Sequence, residues 1–99
     1  METETPTPAF VTLTQLKRQC NVDYDDDDET LLAMGAAAED TVIRMTNRPV
    51  AELVEAGDGR LPASLAQAVL ILAGGFYAKR EPDATLADVE WLIRPWQAI

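Results

Sequence analysis

The chain has 99 residues, of which 47% are hydrophobic and 25% are charged, a composition that predicts one folded domain rather than a disordered segment. Its formal charge of −9 argues against a protein that grips DNA, RNA or an anionic membrane by bulk electrostatics. Histidine is absent, which removes the commonest general base and metal ligand. The single cysteine, Cys20, allows no intrachain disulfide and favours a reducing compartment.

Residues 1–10 are rich in Thr, Pro and Glu and predict a flexible N-terminal tail, followed by a single helical domain over residues 11–99. The N-terminus lacks the basic and apolar regions of a signal peptide. The longest apolar stretch, within residues 68–78, is shorter than a membrane span. We therefore expect a soluble protein that stays inside the cell when it is made.

A first helix is predicted from about Leu13 to Cys20. Thr12 and Gln15 have the spacing of a capping box, in which each residue satisfies the backbone N–H of the other. Asn21 suits a left-handed stop.

An acidic run follows, with six carboxylates in the seven positions from Asp23 to Glu29. Such a run resists burial and repels polyanions, yet it suits a helix start, where carboxylates face unpaired N–H groups and the positive end of the helix dipole. Asp26 and Glu29 have capping-box spacing, so a second helix is predicted over about residues 27–47. The candidate acidic surface consists of Asp25, Asp26, Asp27, Asp28 and Glu29.

The second helix has a broad apolar stripe with small side chains at its centre. Gly35, Ala36 and Ala37 would let a neighbouring helix approach closely, so we expect a crossing point there. Glu39 and Asp40 lie off the stripe.

Residues 48–61 form the least regular connection. The proline at position 49 disfavours a helical conformation of the residue before it, which ends the second helix near Asn47. The apolar residues after this proline would support a helical turn, and a short hairpin is the alternative. The Gly-Asp-Gly sequence at 57–59 predicts a turn.

A third helix is predicted over about residues 62–79, with Pro62 in its first turn. Gly74 and Gly75 interrupt its far end, which indicates either close approach of another backbone or a local bend. A short fourth helix is expected to begin at a Thr85 cap and to stop before Pro95.

The predicted fold class is therefore all-α, a small bundle of two long helices (about 27–47 and 62–79) with short N- and C-terminal helices.

The late aromatic residues Tyr77, Trp91 and Trp96 could be stacking platforms for single-stranded nucleic acid, but acidic rather than basic residues surround them. Core packing or a subunit contact is the favoured interpretation. Trp96 follows the last helix and is the better candidate for an intermolecular anchor.

No constellation of catalytic residues emerges, and an enzyme is not expected. Cys20 is interpreted as a buried, inert thiol. A calcium loop of the EF-hand type starting at Asp23 would need Gly and Glu where the chain has Asp28 and Met34. We therefore predict no catalytic residue, no cofactor and no metal site.

Three segments carry a resemblance to a known family. The first is Leu13-x-Gln15-Leu16-Lys17 leading into Val22-Asp23-x-Asp25-Asp26-Asp27 and then Leu31-Leu32 with Ala36-Ala37-Ala38. The second is Leu61-Pro62 with Ala68-Val69-Leu70-x-Leu72, Tyr77 and Arg80-Glu81, and the third is Val89-x-x-Leu92-Ile93-x-Pro95-Trp96. In this order, over residues 11–97, the chain resembles the head–tail connector (adaptor) family of long-tailed double-stranded-DNA phages and prophages. It departs from the family at Gly74-Gly75, where bulkier residues are usual, and at Gln97, where a basic residue is frequent.

The resemblance implies a structural protein at the head–tail junction of the virion, made in the cytoplasm of a bacterial host. About a dozen copies would form a ring on the portal protein, extend the DNA channel and offer a platform to tail-completion proteins. Double-stranded DNA would pass without tight binding. The candidate acidic surface is expected to line part of the channel, with the ring exterior and a subunit junction as alternatives. The candidate subunit or partner interface consists of Gly35, Ala36, Ala37, Trp91 and Trp96.

Two other classes stay in view. An acidic regulatory or DNA-mimic protein would bind a basic protein partner as a monomer or dimer. A nucleic-acid-binding helical module, such as a terminase small subunit, would need a basic recognition helix. No predicted helix supplies one, because the third helix has only Lys79 and Arg80, both at its end.

Overall fold

The computed structural model describes residues 7–79 and 82–98, and this part of the chain contains helices and no strand. The elements in chain order are α1 (Leu13–Cys20), α2 (Asp28–Thr46), α3 (Val50–Ala56), α4 (Ala63–Tyr77), α5 (Pro82–Ile93) and a 3₁₀ turn (Arg94–Trp96). The all-α fold class is confirmed, with α2 and α4 as the two long helices. Residues 1–6 of the predicted tail lie outside the described residues, as do Arg80 and Glu81 of the resemblance.

The long helices α2 and α4 pack against each other at the centre of the bundle. The short helix α1 lies against both of them, and α5 covers another side of α4. Because α4 is contacted by three other helices, it is apolar around most of its circumference. The fully buried side chains that hold these helices together include Leu16, Leu31, Val42, Leu65, Val69, Leu72, Val89 and Ile93.

The predicted start and end of α1 are confirmed. Thr12 Oγ1 accepts a hydrogen bond from the N–H of Gln15 at 3.1 Å, and Gln15 Oε1 accepts one from the N–H of Thr12 at 2.8 Å. Asn21 ends the helix with φ of 58°. The positions of both ends of this helix have local causes, because residues next to it in the chain close them.

The second helix begins where predicted but not by the predicted cap. The N-cap of α2 is Asp27 rather than Asp26, so the capping box of Asp26 with Glu29 was wrong. The Asp27 side chain turns toward α4 instead. At the other end, α2 stops at Asn47, as expected from Pro49, and Asn47 itself adopts a left-handed conformation with φ of 54°.

Two further elements differ from expectation. The connection left open over residues 48–61 contains α3, capped by Pro49, and the predicted turn follows it, with Asp58 at φ of 57° and Gly59 at 91°. The fourth helix begins at Pro82, so the prediction of Thr85 as its cap was wrong. Thr85 lies inside α5, is 4% exposed and faces Gly75.

Candidate functional site

The acidic run occupies the turn between α1 and α2 and the first turn of α2. Within the candidate acidic surface, Asp25, Asp26 and Glu29 are exposed, whereas Asp27 and Asp28 are half-buried. Asp28 and Glu29 stand in the first turn of α2, where their charge complements the positive end of the helix dipole. The run therefore presents part of its charge to solvent and turns part of it toward the bundle.

Lys17 of α1 binds two carboxylates of the run. Its ammonium lies 2.7 Å from Asp25 Oδ1 and 2.9 Å from Asp28 Oδ1, while the Lys17 side chain is only 19% exposed. The hydrogen bond from Lys17 lowers the pKa of Asp25 below its ordinary value, and the hydrogen bonds to Asp25 and then Asp28 raise the pKa of Lys17. Lys17 thus links α1 to the α1–α2 turn through Asp25 and to the first turn of α2 through Asp28.

A second attachment ties the run to α4. The hydroxyl of Tyr77 donates a hydrogen bond to Asp27 Oδ2, and the hydroxyl of Tyr24 approaches the same oxygen at 3.3 Å. The two hydroxyl oxygens are 3.4 Å apart. Chiefly because of its bond to Asp27, the pKa of Tyr77 is raised above the ordinary value for a phenol. Lys17 and Tyr77 therefore fix the acidic surface to two different helices.

The small residues of α2 occupy three different environments. Gly35 is buried against α1 and the N-terminal segment, since a Cβ built there would lie 2.8 Å from Leu16 Cδ1 and 3.2 Å from Pro8 Cγ. Ala36 is half-buried and Ala37 is exposed. The predicted crossing point therefore exists within the subunit at Gly35, and only Ala37 of this group faces solvent fully.

The two tryptophans also differ. Trp96 is half-buried, its indole N–H donates a hydrogen bond to Ser64 Oγ at 2.9 Å, and its carbonyl accepts one from Arg48 Nε at 2.6 Å. Trp91 lies on α5 with 67% of its surface exposed. Of the two tryptophans, the exposed one is therefore Trp91 rather than Trp96.

Glu39 is a structurally important residue that the sequence reasoning missed. It is 6% exposed, and its carboxylate accepts hydrogen bonds from three successive backbone N–H groups, those of Ala9 at 2.7 Å, Phe10 at 2.7 Å and Val11 at 3.1 Å. These bonds fix the segment before α1 along α2. The available signal was its position four residues after Gly35, one helical turn farther along the same buried side.

Three features of the described residues bear on metal binding, membrane insertion and thiol reactivity. No three Cys, Asp or Glu side chains in residues 7–79 and 82–98 come together in a way that would hold a metal ion. Across the same residues, the helices are too short or too polar to span a bilayer. Burial raises the pKa of the half-buried Cys20 thiol, which lowers its reactivity.

Comparison with protein families identifies a relationship that covers most of the chain. The family model described as phage gp6-like head-tail connector protein matches residues 10–90. The chain belongs to this family. The matched region includes the acidic run, both long helices and most of α5.

Membership assigns the connector a structural role in phage assembly, at the junction between the virion head and the tail, with other assembly proteins as its partners. No curated protein and no solved structure matches the connector.

Proposed function

We propose that the protein is a head-completion adaptor whose copies form a ring of about a dozen subunits beneath the portal protein. The ring extends the channel through which double-stranded DNA passes and offers a platform to tail-completion proteins. The family match over residues 10–90 is the observation that carries this proposal.

The acidic run gives the ring a surface that DNA does not adhere to. Each subunit has a formal charge of −9, so a ring of about a dozen copies has a charge on the order of −100, which repels phosphates. Lys17 binds Asp25 and Asp28, and Tyr77 binds Asp27, so the run is held on the bundle in every copy. Asp26 and Glu29 are exposed members of the run that these bonds leave facing solvent. We propose that this surface forms part of the channel wall.

The ring is tested by measuring the mass of the protein with and without its portal protein, by light scattering and negative-stain imaging. We expect a closed ring in the presence of the portal. A species that stays at one or two subunits in both conditions would contradict the ring and favour an acidic regulatory protein with a basic partner.

The channel surface is tested by duplex binding at low salt. Asp26→Lys should make the assembled ring retain duplex DNA in a salt-sensitive way, because in every copy it replaces a charge that repels phosphates with one that attracts them. Glu55→Lys makes the same charge change on the exposed side of α3 and is the matched control, expected to behave like wild type. Tight, salt-sensitive binding of duplex by the wild-type ring would overturn the proposed role of the acidic surface.

A further inference from the structure

A ring of identical subunits needs two different surfaces on each copy, one that reaches the next copy and one that receives the previous copy. The pairing described below rests on the ring proposed above. Among the described residues, the most exposed large hydrophobic side chain and the cleft with the larger volume are candidates for these two surfaces, and the exposed side chain is not part of the cleft lining.

Trp91 is the projecting side chain. Its neighbours Leu92 and Ile93 are buried, so Trp91 lies on the outer side of α5, and it is the most exposed large hydrophobic residue among those described. A tryptophan removes about 150–250 Å² of surface from water when it is buried, and tryptophan is enriched among the residues that dominate interface affinity. The exposed carboxylates of Asp88 and Glu90 flank it on the same helix.

The cleft lies between the N-terminal segment, the α3–α4 turn and the start of α4, with a volume of about 790 Å³. This is within the range of roughly 300–1,000 Å³ that is typical of sites for organic groups. Trp91 is not part of its lining. The apolar part of the lining includes Phe10, Pro62, Ala63, Ala66 and Trp96.

Two features make this cleft suitable for a tryptophan that is flanked by acidic residues, as Trp91 is. Glu39 holds the backbone of Phe10 in place, so one wall is fixed before any partner arrives. Among the described residues of the lining, Arg60 is the basic one and Asp58 is the acidic one. Its charge is opposite to the charges of Asp88 and Glu90 that would arrive with Trp91.

We infer that Trp91 of one copy inserts into this cleft of the next copy, with Arg60 facing the acidic residues beside the inserted tryptophan. The contact is head-to-tail, because a tryptophan and a cleft from different parts of the chain meet in it. Each copy then uses both surfaces once, as a closed ring of head-to-tail contacts requires.

The first experiment compares three variants by mass and imaging under the conditions in which wild type forms its ring. Trp91→Ala removes the inserted group, and Ala63→Trp fills the cleft at an exposed position. Each should weaken subunit association by at least about 30-fold while leaving the helical circular dichroism unchanged. Val50→Ala removes a different exposed hydrophobic side chain, outside both surfaces, and should form rings like wild type.

Mixing the two defective variants separates a head-to-tail contact from a symmetric one. Trp91→Ala keeps an intact cleft and Ala63→Trp keeps an intact Trp91, so the mixture should form pairs that contain one copy of each and grow no further. Arg60→Glu should also weaken the ring, and adding Asp88→Arg to it should restore association.

Several outcomes would overturn the pairing. Rings of wild-type mass from both Trp91→Ala and Ala63→Trp would show that the ring stands without this contact. Trp91→Ala rings that no longer bind the portal would assign Trp91 to the portal contact instead. Failure of the wild type itself to form a ring, with or without the portal, would overturn the proposed function and this pairing together.

Discussion

The side chain of Thr85 occupies the space that a side chain at Gly75 would need. A Cβ built on Gly75 would lie 2.5 Å from Thr85 Cγ2 and 2.7 Å from its Oγ1. Both residues are buried, and through this contact α5 packs closely on α4. The position of α5, and therefore of Trp91, depends on the absence of a side chain at Gly75.

The adjacent glycines provide a matched pair of substitutions. Gly75→Ala should lower the free energy of unfolding by about 1–3 kcal/mol, because the added methyl overpacks the contact with Thr85. The Cβ of Gly74→Ala would lie 3.5 Å from Gln19 Cγ and 4.0 Å from Gln19 Nε2, which are ordinary contacts. It should raise stability by about 0.5–1 kcal/mol through helix propensity. Urea unfolding of the two variants checks this, and equal effects of the same sign would contradict it.

Glu39→Gln should release the segment before α1. Both carboxylate oxygens accept N–H groups, so an amide would place its NH₂ against at least one of those donors. We expect a loss of roughly 1.5–3 kcal/mol and faster hydrogen exchange at Ala9, Phe10 and Val11. Asp40→Asn alters an exposed residue paired with Arg44 and should change stability by less than about 0.5 kcal/mol. Unchanged exchange in Glu39→Gln would show that the bonds do not hold the segment.

Lys17→Met should lower stability in a pH-dependent way. The pKa of Asp25 is lowered by Lys17, so this stabilisation exists above the ordinary value of 3.8 and is lost as pH falls through the lowered pKa. The pKa of Lys17 is raised, so its stabilisation exists below the ordinary 10.5 and is lost as pH rises through the raised pKa. The difference between wild type and Lys17→Met should be largest between these values.

Urea midpoints across the pH range, at low and high salt, measure that difference. Arg18→Met removes the neighbouring exposed charge and is the control. A difference that stays constant from acid to alkaline pH would mean that the ion pairs of Lys17 do not contribute.

Tyr77→Phe should loosen the acidic run and remove one titration step. The bond to Asp27 raises the pKa of Tyr77, so the stabilisation is present below the ordinary phenol value of 10.0 and is lost as pH rises through the raised pKa. Ultraviolet absorbance during alkaline titration should show a late step that disappears in Tyr77→Phe and persists in Tyr24→Phe. Faster hydrogen exchange over residues 23–29 in Tyr77→Phe is the accompanying structural readout.

The features predicted correctly from sequence are those with local causes. Thr12, Gln15 and Asn21 close α1 with groups a few residues apart, and α2 ends at Asn47, two residues before Pro49. The long apolar stripes of α2 and α4 gave the fold class because a helix with such a stripe must bury it.

The errors have long-range causes. Threonine is a common helix N-cap, but Thr85 is buried against Gly75 inside α5, and the helix starts earlier, at Pro82. Asp27 accepts its main bond from a residue 50 positions away. The partners of Glu39 lie 28 to 30 positions before it. A carboxylate on a helix predicts solvent exposure unless its distant donors are known, so these contacts needed the folded structure.

Single residues with positive φ set the direction of the chain after three of the helices: Asn21 after α1, Asn47 after α2 and Lys79 after α4. The left-handed region covers a narrow range of φ and ψ, so these residues restrict the direction of the chain more than a long flexible loop would. We therefore expect each copy to behave as a stiff building block. If the proposed ring changes diameter during virion maturation, the change should be taken up at the contacts between neighbouring copies, and imaging of successive intermediates should reveal sliding there while the internal helix angles stay constant.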